Sequence, residues 1–130
     1  MEKDLFDLIP KDKFDNSGVE QLMLIDVASA EPILGKLLEW MQDINWPIAQ
    51  EYLHVLPRFH EGLIPHIRDV FKTDDGIWKA WVLTLMEGFP KETIIRLQDD
   101  IKRIALRPTE DEFDQGADGY ARDLLDMFDL

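Results

Sequence analysis

The chain contains no cysteine. Disulfides, thiolate catalysis and cysteine-based zinc or iron–sulfur sites are therefore excluded. Positive charge is also scarce: 14 Lys and Arg stand against 27 Asp and Glu, for a net charge of −13. Binding a nucleic-acid backbone requires clustered cations that release counterions. The nearest approach to a cluster, Lys102-Arg103 with Arg107, has Asp99-Asp100 beside it. Such a chain is repelled by phosphates and attracted to basic proteins. The acid excess is steepest at the end, where Pro108 to Leu130 holds eight acids and one base, Arg122. No apolar run approaches the roughly 20 residues that cross a bilayer, so no membrane association is expected. The opening Met1-Glu2-Lys3-Asp4-Leu5-Phe6-Asp7 lacks the basic and apolar regions of a signal peptide, and a cytoplasmic location is expected.

Catalytic signatures are missing as well. There is no Gly-rich phosphate loop, nucleophile elbow or HExxH motif. Both serines, Ser17 and Ser29, fall at expected helix starts with no histidine near them in sequence. The expectation is a non-enzymatic protein without cofactors.

What is present is a globular balance. The 130 residues are 45% hydrophobic and 32% charged, with four Trp and seven Phe. This predicts one domain over residues 1–130 with a packed interior. No segment shows the period-2 alternation of a strand, and apolar spacing of three to four predicts an all-α fold. Residues 1–16 read as an extended arm, because Pro10 prevents a continuous helix while Leu5, Phe6, Leu8, Ile9 and Phe14 can dock on a core. Ser17 with Glu20 forms a capping-box pattern opening a helix over 17–28, with Val19, Leu22 and Met23 inward. Ser29 precedes the next helix, with Pro32 in its first turn. Pro47 starts a helix that Gly62 ends, and Pro65 opens another. Ile77, Trp78, Trp81, Val82, Leu85 and Met86 mark the helix closed by Gly88. Pro90 opens the helix carrying Ile94, Leu97, Ile101, Ile104 and Ala105. Thr109 with Glu112 is a second capping-box pattern. It opens a last helix through Phe113, Tyr120, Leu124 and Phe128, in which Gly116 and Gly119 predict a kink.

Self-similarity organises these helices. Leu34, Ile67 and Ile101 occupy matching places, as do Leu37, Val70 and Ile104, and Leu38, Phe71 and Ala105. The turn Asp43-Ile44-Asn45-Trp46-Pro47 answers to Asp75-Gly76-Ile77-Trp78-Lys79. Three helix pairs result, over 30–60, 63–88 and 90–129, and such pairs stack into a short α-solenoid. The 17–28 helix caps one end and the acidic last helix the other.

The blocks Leu8-Ile9-Pro10-Lys11-Asp12-Lys13, Leu38-Glu39-Trp40, Asn45-Trp46-Pro47-Ile48-Ala49, Leu63-Ile64-Pro65-His66-Ile67, Asp74-Asp75-Gly76-Ile77-Trp78-Lys79 and Arg107-Pro108-Thr109-Glu110 carry a resemblance. Across almost the whole chain they resemble a bacterial domain-of-unknown-function family, number five-thousand-and-seventy-one. The resemblance implies a single-domain bacterial protein with HEAT-like helical repeats. It implies no assigned activity and no catalytic residues.

Three residue groups are candidates for a site. His54, His60 and His66 are spaced by six, which does not bring neighbours to one helix face, so a metal site is not expected. Asp43, Asp74 and Asp75 lie in matching turns. Two such carboxylates could hold a cation or small ligand, but helix capping explains their repetition without one. Trp46 and Trp78 are expected in the core between repeats, whereas a partly exposed Trp40 or Trp81 would mark a binding surface. The functional expectation is a protein-binding or scaffold module for a basic partner. Its sharper form is an immunity-type inhibitor covering a basic toxin or nuclease. Metal or small-ligand binding at the turn carboxylates is the alternative.

Overall fold

A computed structural model describes residues 4–130; Met1-Glu2-Lys3, the start of the expected arm, lies outside the described residues. Among the described residues there is no strand, and the fold is all-α as expected. The α-helices are α1 (Val19–Leu24), α2 (Leu34–Leu38), α3 (Pro47–Val55), α4 (His60–Phe71), α5 (Gly76–Leu85), α6 (Lys91–Leu106), α7 (Glu110–Asp114) and α8 (Ala117–Met127). No helix among them is long and apolar enough to cross a membrane.

All nine residues of the repeat alignment are buried, from Leu34, Ile67 and Ile101 through Leu38, Phe71 and Ala105. They line one row in which α2 packs on α4 and α4 on α6. The remaining contacts are less regular. Helix α3 packs on α1, while α8 packs on both α5 and α6.

Several local expectations are overturned, each for a physical reason. The arm is not extended. It opens with a 3-10 turn over Leu5–Leu8, and then Asp12 and Asp15 fold the chain back. Asp12 accepts the Phe14 N–H at 2.9 Å. Asp15 accepts the Lys11 N–H at 2.9 Å and both the N–H and hydroxyl of Ser17 at 3.1 and 2.7 Å. Side chains that satisfy nearby backbone donors favour turns over extension. Leu8 docks in the core, but Phe6 and Phe14 stay exposed. With Ser17 bonded to Asp15, α1 begins at Val19 after Gly18, and Met23 lies on its exposed side.

The helix expected after Ser29 is instead a 3-10 stretch, Val27–Ile33, followed by α2. Pro32 accounts for this, since it removes a donor and disfavours helical backbone at Glu31. Gly62 does not end α3; the break falls at Pro57, in a 3-10 turn over Leu56–Phe59, and Gly62 lies inside α4. A Cβ at Gly62 would stand 2.6 Å from Leu34 Cδ1, and one at Gly35 would stand 2.9 Å from His66 Nδ1. These two glycines let α2 and α4 approach closely, a packing role that mimics a helix stop in sequence. The expected kink near the end is a full break, because Gly116 adopts a left-handed φ of 78° between α7 and α8.

Candidate binding cleft

The five candidate site residues separate into four settings. Asp75 caps α5, its Oδ1 accepting the Trp78 N–H at 3.0 Å. Asp43 accepts the Asn45 N–H at 2.8 Å, closing its own turn. The two turns are therefore not equivalent. Pro47 fixes the first residue of α3 and leaves Trp46 outside the helix, whereas Asp75 caps α5 and draws Trp78 into its first turn. Asp74 is exposed and borders an acidic hollow with Glu110, Asp111 and Asp114.

The tryptophans also depart from expectation. None of the four is fully buried, Trp46 and Trp78 included. The Trp78 indole donates to the Leu38 carbonyl at 3.2 Å, so its polar edge ties α5 to the end of α2. Trp46 packs edge-on against Trp40, with ring centroids 5.6 Å apart. Both rings line a cleft with Ile9, Pro10, Lys36, Glu39 and Gln42.

Gln42 also borders a second cleft, of about 390 Å³, which Asp43 and Trp81 share. Its other walls are Asn45 from the same turn, Ile77 and Ala80 from α5, Gln115 before α8, and Tyr120 of α8. Ile77 and Trp81 are four residues apart and so point the same way from α5. Tyr120 faces Trp81 at 6.0 Å between ring centroids, the planes inclined by 59°. Tyr120 is 40% exposed and Ile77 44%. Such partly wetted aromatic and aliphatic surface beside fixed polar groups is the usual make-up of a ligand site. No Lys, Arg or His among the described residues lines this cleft.

Sequence reasoning missed Tyr120, Gln42, Asn45 and Gln115 because the cleft is assembled from three separated segments, 42–45, 77–81 and 115–120. The signal for Tyr120 was its place on α8 at a spacing that also holds Ala117, Ala121 and Leu124. Those three are buried, whereas Tyr120 lies beside their stripe.

On the opposite side of α5 lies a feature of another kind. Lys79 and Glu112 are both buried, with 2% and 0% of their side chains exposed, and their charged ends lie 2.8 Å apart. Arg103 grips the same carboxylate with two hydrogen bonds, of 2.6 and 2.7 Å. Glu112 is also the closing residue of the capping box at Thr109, accepting the Thr109 N–H at 2.9 Å. Burial alone would raise the Glu112 pKa. The Arg103 and Lys79 hydrogen bonds and the Thr109 N–H outweigh it and hold the carboxyl at about 2. The network joins α5, α6 and α7.

The histidines stay apart. His54 is exposed, the His60 Nδ1 lies 2.7 Å from the hydroxyl of buried Thr93, and His66 packs over Gly35. Among the described residues no three His, Asp or Glu converge as metal ligands would.

The model of the family described as Domain of unknown function (DUF5071) matches residues 8–125. The chain belongs to that family. The matched span contains every residue of the cleft and of the buried ion network. No match was found among curated proteins.

Proposed function

We propose that this chain is a non-enzymatic binding module, a short HEAT-like stack of helix pairs that receives a basic protein partner. One observation carries the reading: the cleft sets partly buried Trp81 and partly exposed Tyr120 beside Asp43, with no cation on its walls among the described residues. Large aromatic side chains in partly exposed clefts are the residue types that dominate protein interfaces. The net charge of −13 acts beyond the cleft, steering a basic partner toward the surface and repelling acidic ones. An inhibitor that covers a basic toxin or nuclease is the narrower form of the same reading, because fast encounter matters most for that task. We also read the chain as cytoplasmic, which a cysteine-free composition suits. A metal ion or small ligand held jointly by the turn carboxylates is less well supported, since Asp75 serves as a helix cap and Asp43 and Asp74 border different hollows.

The test is affinity capture with the native chain and with Trp81→Ala, at low and high salt. The expected partner has a net positive charge, is released by salt, and is lost when Trp81 is replaced. A partner that is acidic, or that binds both chains equally at all salt concentrations, would count against the reading.

A further inference from the structure

We infer that the cleft seats the guanidinium group of an arginine side chain offered by the partner. This rests on the basic-partner reading and names the group that enters the cleft. The first observation is electrostatic. Asp43 is held in one orientation because its Oδ1 accepts the Asn45 N–H at 2.8 Å. Its Oδ2 accepts no hydrogen bond among the described residues, and no neighbouring cation neutralises it from the cleft walls. An oriented carboxylate with one open oxygen is a ready acceptor for a charge-assisted hydrogen bond.

The second observation is the pair of rings. Trp81 and Tyr120 are inclined by 59° with centroids 6.0 Å apart. A cation within about 6 Å of either centroid is attracted by that ring's negative face. Inclined rings give no coplanar platform along which successive sugar units could lie. The third observation is the supply of acceptors. Gln42, Asn45 and Gln115 line the same cleft, and each side-chain amide carries one acceptor oxygen. Arginine carries five N–H donors on a flat fork and no acceptor, so a wall of one carboxylate and several amides matches it better than the three donors of lysine.

The experiment titrates the full chain with N-acetyl-arginine amide, following backbone amide and indole N–H signals by NMR. The citrulline counterpart, equal in shape but uncharged, and the lysine counterpart are run in parallel. We expect saturable shifts at Asp43, Asn45 and the Trp81 indole. Arginine should bind about fivefold more tightly than citrulline, with the difference shrinking as salt rises. Asp43→Asn, which keeps an acceptor for the Asn45 N–H, should bring arginine down to the citrulline level. The comparison of arginine with citrulline on the native chain decides the matter even if that variant folds poorly. Equal binding of citrulline or lysine, shifts confined to other surfaces, no saturation, or stronger binding of cellobiose would overturn the assignment. If the arginine probe fails while a basic partner is still captured and lost on Trp81→Ala, only the guanidinium assignment falls. If both fail, the basic-partner reading falls with it.

Discussion

Helix α5 separates two junctions where polar side chains of different segments meet, and they are solved in opposite ways. On one side, Glu112 collects Lys79, Arg103 and the Thr109 N–H in a closed network with the Glu112 side chain wholly buried. On the other, Asp43 meets no cation among the described residues, and the aromatic walls around it stay partly wetted. The first arrangement is self-sufficient: no buried side-chain nitrogen or oxygen among the described residues lacks a partner. The second, on the reading proposed above, is where a partner's cation would enter. The two carboxylates thus differ in whether the chain itself supplies the counter-charge.

The largest effect should come from breaking the closed junction. Glu112→Gln keeps the shape but turns an acceptor oxygen into a donor facing Lys79, whose own charge stays buried. Removing one member of a buried ion pair costs about 3–5 kcal/mol, a large share of a small domain's stability. Urea denaturation should show a correspondingly earlier midpoint with little change in slope. Adding Lys79→Met to Glu112→Gln should recover part of the loss, because the orphaned charge is then gone. If the double variant is as unstable as the sum of its parts, the network is not the cause.

Acid should act on the same junction. The Glu112 pKa lies at about 2, below its ordinary value of 4.5. A depressed folded-state pKa stabilises the fold fully above the unfolded value and progressively less as the pH falls through the folded one. This contribution, about 3 kcal/mol, should therefore be present above pH 4.5 and fade toward pH 2. The measurement is the stability difference between the native chain and Glu112→Gln across that window. A difference that stays constant with pH would contradict the assignment.

Gly76 sets the approach of α5 to α7 and so the position of the network. Its N–H donates to Asp111 Oδ2 at 2.5 Å, and a Cβ there would stand 2.6 Å from the Asp111 backbone oxygen. Because backbone cannot swing aside, Gly76→Ala should cost about 1–3 kcal/mol by overpacking. For a chain of this size that is a melting-temperature drop of several degrees, measurable by circular dichroism. An unchanged or raised melting temperature would mean that α7 shifts freely.

How much of this was legible in the sequence follows from what each signal measures. Apolar periodicity found the row of α2, α4 and α6, because those helices each bury one broad face and the nine matched residues all face inward. It failed on α5, which is covered on two sides. The stripe read there included Ile77, which is exposed, and passed over Lys79, which is buried. Lys79 lies four residues before buried Leu83 and seven before buried Met86, so its place on an inner face was recoverable, but a lone lysine is ordinarily surface. The capping box at Thr109 was readable because it is local, and both of its hydrogen bonds form. That its Glu112 also neutralises Lys79, 33 residues away, was not local information. The cleft was half-legible for the same reason: Trp81 and Asp43 were chosen by residue type, while Tyr120 and Gln115 reach it only through the α5–α8 packing.

The smallest stability effect should fall on the open junction, and it gives the sharpest contrast. Asp43→Asn makes the same chemical change as Glu112→Gln, a carboxylate to an amide. Here the side-chain oxygen facing the Asn45 N–H is retained, so the turn keeps its hydrogen bond. No buried cation loses its partner, since none lies on the cleft walls among the described residues. The stability change should stay within about 0.5 kcal/mol in the same urea titration. In a net charge of −13, losing one negative charge slightly eases self-repulsion, which works in the stabilising direction. If Asp43→Asn proves as destabilising as Glu112→Gln, Asp43 is a structural carboxylate and the division between the two sides of α5 collapses. If it leaves stability intact while partner binding falls, the same substitution will have separated a group that holds the fold from one that the fold holds out.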